Sequence, residues 1–314
     1  MKRIFLIIFI ITIILCIIFY LLNIFLEKSK KDKENKKSIK ENFYHYDDNY
    51  ILPKKIYAYW DNLDENKLIQ KFVENWRKKI PDSWEIIILD KKSINNYVSR
   101  EFIKKYNSLE AFRFADFLRL DLLKNNGGVW MDISTLIIKG DFLDTYRNEM
   151  IDKRYDVCLY EFTSKTIDKS NPALENWFIM APKNSRFIND LYTEFNKSFE
   201  MGFVEYKKEI LIPSGTNLKQ SIGYNDKETY FMQYAIINYL NHIGEKYNIN
   251  IKNALTSMLK IQEEHKWNHD DFINYILEND IKNDDIYAIK FIGISRNSIK
   301  NIGEDKFIER MDRI

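Results

Sequence analysis

From residue 109 the chain reads LEAFRFADFLRLDLLKNNGGVWMDISTLII, and its apolar positions change period partway along. Phe112, Ala115, Leu118 and Leu122 recur at three- and four-residue spacing, which predicts a helix with one buried face. Asn125-Asn126-Gly127-Gly128 stops that helix, because glycine enters the left-handed conformation past a helix end without a steric penalty. Val129, Trp130 and Met131 then read as a strand that Asp132-Ile133-Ser134 closes, and period-two alternation puts Asp132 and Ser134 on one side. Upstream, the pattern predicts a proline-led strand over 52–60, with Tyr57 and Tyr59 on one face and Ile56, Ala58 and Trp60 on the other. A helix over 68–80 follows, with Phe72, Val73 and Trp76 as its apolar side, then a buried-type strand over 84–90 and a helix over 94–106. Downstream, strands are expected over 155–160, 176–182 and 287–291, with an amphipathic helix over 185–199 capped by Asn184 or Ser185. Strands alternating with helices predict an α/β fold, a Rossmann-like mixed sheet flanked by helices.

The first residues follow another rule. Residues 4–26 are almost all apolar and carry no charge, and about 20 such residues span a hydrocarbon core ~30 Å thick as a helix. A signal peptide would have a shorter apolar stretch ending in a small-residue cleavage site, and Ile24-Phe25-Leu26-Glu27-Lys28 offers none. Three parts are therefore expected: a transmembrane anchor over 1–27, a lysine-rich tether over 28–50 and a folded α/β domain over 51–314. Lys28, Lys30, Lys31, Lys33, Lys36, Lys37 and Lys40 follow the span, whereas only Lys2 and Arg3 precede it. The positive-inside rule then places the single-pass protein's body in the cytoplasm, although a charged start before a long apolar run also suits the opposite, type II insertion. The tether either attracts anionic headgroups or is a plain solvated spacer.

Charge and cysteine content narrow the classes. The 48 basic and 46 acidic residues leave a formal net charge of +2, so no nucleic-acid partner is expected. The two cysteines, Cys16 and Cys158, build no disulfide framework, in keeping with a reducing compartment for the folded part.

Chemistry concentrates where the predicted helix meets the predicted strand. Ligands of open α/β sheets bind beyond the carboxyl ends of the strands, where Asp132 and Ser134 would stand. Arg113, Asp116 and Arg119 form a row of alternating charge on the preceding helix. On a solvated face such pairs contribute about 0.3–0.5 kcal/mol each; turned inward, they would share a crevice with Asp132. Asp90 either caps the following turn or touches a ligand. His265 and His269 have the spacing of a zinc-protease helix, but Lys266 stands where its catalytic glutamate belongs, so zinc is not expected.

Ala115-Asp116-x-x-Arg119 followed by Gly127-Gly128-Val129-Trp130-Met131-Asp132-x-Ser134 resembles the core of glycosyltransferase family 32 and of the related capsular polysaccharide synthesis proteins. The opening LPKKIYAYW resembles that family's first strand, with Tyr57 in place of its usual histidine. NWFIMAP over 176–182 and ETYFMQYAIINYL over 228–240 resemble two further segments. The likeness covers about residues 52–240.

The resemblance implies a GT-A fold and a hexosyltransferase-like enzyme, retaining in stereochemistry, that moves a sugar from a nucleotide sugar, UDP-linked by family habit, to a glycan or lipid-linked acceptor in surface polysaccharide synthesis. It implies catalytic or donor-binding roles for Asp132, Asp116 and Arg119. Trp60 would lie near the nucleotide base, the competing reading being a core tryptophan, and Asn176 would reach sugar or acceptor unless it only stabilises a turn. Mn²⁺ or Mg²⁺ would be held by Asp132 and Ser134, the shortened DxD element, with Ser134 the weaker ligand because a neutral hydroxyl replaces the second aspartate. That same serine leaves a second reading open: a membrane-tethered protein of this fold that binds nucleotide sugars without turning them over.

Overall fold

The proline-led segment is a strand: β1 is Lys55–Tyr59. The computed structural model describes residues 50–220, 230–243, 247–281 and 286–314. In it β2 is Glu85–Leu89, β3 Gly128–Met131, β5 Val157–Glu161, β6 Leu174–Ala181 and β7 Ile249–Asn253. Among the described residues these form one sheet in the order β2-β1-β3-β6-β5-β7. β1 runs parallel to β2 and β3, β6 antiparallel to β3 and β5, and β7 parallel to β5. Two short strands, β4 (Thr135–Ile137) and β8 (Ala288–Lys290), pair antiparallel on their own, with Thr135 opposite Lys290. The expected mixed α/β sheet flanked by helices is present.

The helices are α1 (Lys67–Lys79), α2 (Arg100–Tyr106), α3 (Ala111–Asn126), α4 (Phe142–Lys153), α5 (Arg186–Met201), the short α6 (Phe203–Tyr206), α7 (Met232–Ile243), α8 (Lys260–Glu264), α9 (His269–Glu278) and α10 (Gly293–Met311). Side-chain caps set several starts: Asn66 accepts from Ile69 N–H ahead of α1, and Ser185 from Ile188 N–H ahead of α5. The single helix expected over 94–106 is instead a 3-10 turn at Ile94–Asn96 followed by α2, because Ser99 accepts from Phe102 N–H and opens a new helix. β2, expected as a buried strand, lies at the sheet edge with only alternate residues fully covered.

The sheet separates two apolar clusters. Tyr57, Tyr59 and Trp130 face one, with Phe117 and Leu118 of α3, Phe187 and Phe195 of α5, and Ile236 of α7. Ile56, Ala58, Val129 and Met131 face the other, with Phe72 and Trp76 of α1, Phe142 of α4, Phe272 of α9 and Phe307 of α10. Period-two alternation along β1 and β3 thus assigns each residue to its layer, for β1 as the sequence predicts. Phe112 does not follow its expected face: it is 39% exposed, and Arg113, Asp116 and Arg119 are buried instead.

Two features fix where β3 ends. Gly127 closes α3 at φ 69°, and a Cβ there would overlap the backbone nitrogen of Lys183. Gly128, at φ 107°, would bring a Cβ to 2.7 Å from the Lys55 carbonyl. Glycine is required at both for the helix end to come this close to β1 and β6. Beyond the strand, α1 holds β4 through Trp76 Nε1, which donates to Thr135 O at 2.6 Å, and through Asn75, which exchanges two hydrogen bonds with Ile137.

No helix of the described residues is long and apolar enough to cross a membrane. The expected anchor and the tether up to residue 49 lie outside the described residues, as does residue 228, where the family-like segment ahead of α7 begins.

Candidate active site

Trp60 leaves β1, and Asp132 leaves β3, at the same carboxyl edge of two adjacent parallel strands. β6 begins at that edge, where Asp132 N–H donates to Trp177 O at 2.8 Å. The connection from α3 to β3 reverses direction, so the first half of α3 lies beside the end of β3. This brings the charged row of α3 to the strand exit.

The row is an ion-pair network, not a solvated face. Arg113 NH1 lies 2.8 Å from Asp116 Oδ2, and Arg119 NH2 lies 3.4 Å from Asp116 Oδ1 and 3.8 Å from Asp132 Oδ1. Arg119 is almost fully committed to protein: Nε donates to Ala115 O at 3.3 Å, NH1 to Asn176 O at 2.6 Å, and its guanidinium lies over the Trp130 ring. It therefore spans α3, β3 and β6 and holds both carboxylates in place. Burial pushes Asp116 up to about 6, against the pull of Arg119 and Arg113.

Asp132 is the open member, with its side chain 31% exposed while those of Arg119 and Asp116 are covered. Trp130 Nε1 donates to its Oδ1 at 3.1 Å, and Lys290 Nζ stands 3.1 Å from its Oδ2. Burial acts to raise its carboxyl, but Lys290 and Arg119, helped by the Trp130 hydrogen bond, outweigh this and hold it below the usual carboxylate range. An ionised carboxylate offers about four acceptor positions, so lone pairs remain on the exposed side for a ligand's hydroxyl groups.

Ser134 is buried, and its hydroxyl turns into the protein. It donates to Phe291 O at 2.9 Å and accepts from Lys290 Nζ and Arg296 NH1, each at 3.0 Å. The expected Mn²⁺ or Mg²⁺ site at Asp132 and Ser134 does not fit this donor set. A divalent ion needs free hard oxygens, but an ammonium bridges the two side chains and a guanidinium shares the hydroxyl. Among the described residues, no group of three or more His, Cys, Asp or Glu side chains converges here or elsewhere.

Trp60 is half-buried on the same edge, packed against the core, and the Arg296 guanidinium lies 5.4 Å from its ring centroid. Asn176 has its amide engaged: Nδ2 donates to Gln233 Oε1 at 2.7 Å and lies 3.4 Å from Asp116 Oδ1. Gln233 of α7 donates in turn to the Asp116 backbone carbonyl at 2.9 Å. Asp90 stands apart as a turn cap, accepting from Lys92 and Ser93. The carboxyl of Glu175, at the start of β6, is pushed up by burial.

Sequence reasoning missed Lys290, Arg296 and Gln233. Lys290 had a signal: a lysine inside the apolar run YAIKFIG is rarely buried without a partner. Gln233 likewise interrupts an apolar helix. Arg296 carried no local mark.

The carboxylate–guanidinium network thus stands at the carboxyl edge of parallel strands, where ligands of open α/β sheets bind. The capsular polysaccharide synthesis protein family matches residues 18–290 of this sequence, and the chain belongs to that family. With the family comes the glycosyltransferase class that the motifs imply. Among solved structures, the galactosyltransferase LgtC, in complex with donor and acceptor sugar analogues, is similar over 83% of this chain and 96% of its own, at 10% identity and TM-score 0.44. The PaToxG glycosyltransferase covers 70% of this chain and 96% of its own, at 14% identity and TM-score 0.33. GlyE of Streptococcus pneumoniae TIGR4 covers 77% and 55%, at 8% identity and TM-score 0.36. At these scores the family assignment rests on the sequence match alone. No curated protein matches the chain.

Proposed function

We propose that this protein transfers a sugar from a nucleotide sugar, UDP-linked by the family resemblance, to a glycan or lipid-linked acceptor in capsular or other surface polysaccharide synthesis. Residues 1–27 anchor it as a single pass in the membrane, residues 28–50 tether it, and residues 51–314 work on the cytoplasmic side. The carrying observation is the convergence of Asp116, Arg119 and Asp132 at one strand edge, with Asp132 alone of the three open to a ligand.

In the transfer, the bond between the sugar's anomeric carbon and the diphosphate oxygen breaks, and its electron pair leaves with the nucleoside diphosphate. The acceptor oxygen bonds to that carbon and its proton passes to the departing diphosphate, with retention of configuration as the family resemblance implies. Asp132, ionised and exposed on one side, accepts hydrogen bonds from hydroxyl groups of the donor sugar and stabilises positive charge developing on the ring. Arg119 and Asp116 keep Asp132 in register, and Trp60 offers an aromatic face to the base, a contact of about 1–3 kcal/mol.

The test uses the full chain in detergent with a panel of UDP-, GDP- and CDP-linked sugars, measuring nucleoside diphosphate release with and without candidate acceptors. Release from one donor, lost in Asp132→Asn, supports the reading. Tight donor binding with no release under any condition would instead favour a nucleotide-sugar-binding protein without turnover. Neither binding nor release sinks both.

A further inference from the structure

Among the described residues, two cations meet beside Ser134: Lys290, which pairs with Asp132, and Arg296. Lys290 Nζ donates to Phe291 O at 3.2 Å, Arg296 NH1 to the same oxygen at 3.1 Å, and the Ser134 hydroxyl at 2.9 Å. Three donors thus crowd one carbonyl, which has two lone pairs, and both cations also share the Ser134 hydroxyl. Lys290 also has the Asp132 carboxylate, whereas Arg296 leans on neutral oxygens alone, where an anion would serve it better.

Arg296 is the member with capacity to spare. Among the described residues it has no carboxylate within ion-pair distance, and of its three nitrogens only NH1 is hydrogen-bonded. Nε and NH2 are open, on a half-buried fork laid over the Trp60 ring. A guanidinium fork with free donors suits two oxygens of a phosphate. Lys290, buried and held in β8 by its pairing with Thr135, by its N–H to Met258 O and by Gln262 on its carbonyl, cannot withdraw its charge.

We infer that Arg296, next to the fixed Lys290 ammonium and between Trp60 and Asp132, seats the diphosphate of the donor, and that these side-chain cations neutralise the leaving group in place of a divalent ion held by Asp132 and Ser134. The inference rests on the nucleotide-sugar reading and adds to it the group that receives the departing charge. It also gives Ser134 a role: its hydroxyl holds Lys290 and Arg296 side by side.

The experiment is calorimetric binding of UDP, GDP, CDP and inorganic pyrophosphate to the full chain, in EDTA and in Mn²⁺, for wild type, Arg296→Gln and Arg296→Lys, each checked by thermal melt. The expected result is binding of pyrophosphate and of one nucleotide in EDTA, changed less than about threefold by Mn²⁺. Arg296→Gln should weaken both by about 10–100-fold, the loss of one charge-assisted contact. Arg296→Lys, which keeps a charge but loses the fork, should fall between; it carries the test if the glutamine variant melts early. Binding only when Mn²⁺ is present overturns the inference and leaves the transferase reading standing, as does full affinity in both variants. No nucleotide binding in any condition overturns both.

Discussion

Lys290 Nζ lies 3.1 Å from Asp132 Oδ2, joining residues on β8 and at the exit of β3 in one ion pair. The lysine is buried and the aspartate is partly open, so the pair is a structural joint that leaves one side of the carboxylate accessible. Removing one partner of a buried pair leaves the other charge uncompensated. Asp132→Ala should therefore destabilise the fold by about 2–4 kcal/mol, and Lys290→Met by a similar amount. In the double variant neither charge is orphaned, so the two losses should fall short of adding by about 1–3 kcal/mol. Urea unfolding of the four proteins measures this. Simple additivity would show that the two side chains do not interact.

Asp116 should set an acid limit on activity. Its folded-state value of about 6 lies above its usual 3.8, so the folded protein binds this proton more tightly than the unfolded chain does. Lowering the pH through about 6 then discharges Asp116 and favours the protonated fold locally, while freeing Arg113 and Arg119 from their shared carboxylate. The rate should fall on the acid side of pH 6 while the protein stays folded, and Asp116→Asn should lack that limb. A wild-type profile flat down to pH 5 would contradict this.

Arg119→Lys tests the span of the guanidinium. One ammonium cannot reach the Asn176 carbonyl, the Ala115 carbonyl and two carboxylates together, as the fork does. A fall of about 10–100-fold in kcat/KM is expected, and unchanged kinetics would mean that Arg119 positions nothing.

Gly127→Ala should cost about 2 kcal/mol or more, since φ 69° is strained for alanine and its methyl would meet the Lys183 backbone. The melting temperature reads this directly. A melt equal to wild type would mean that the helix end relaxes without loss.

The sheet and its two faces were legible because period-two alternation is a local property: Tyr57 and Tyr59 against Ile56 and Ala58 can be read from five residues. Asp116, Arg119 and Asp132 were legible for the same reason, since one helix, one glycine turn and one strand carry them all. Phe112 was misplaced because apolar spacing alone does not see that an ion-pair network can take the buried side of a helix. The partners of Lys290 and Arg296 stayed hidden, since both meet Ser134 across 156 and 162 residues. The sequence alone does not specify such a pairing, which exists only once β8 lies against β4. The metal expected at Asp132 and Ser134 met the same difficulty, because nothing near Ser134 in sequence reveals that its hydroxyl is already taken.

The central claim is that Asp132 faces the donor of a sugar transfer. The most direct measurement is nucleoside diphosphate release from the preferred nucleotide sugar by the full chain, wild type against Asp132→Asn, with both melts recorded. Asparagine keeps the shape and an oxygen for Lys290, so the melt should move by only a few degrees while release falls by about 100-fold or more. Release at the wild-type rate from a folded Asp132→Asn protein would contradict the account.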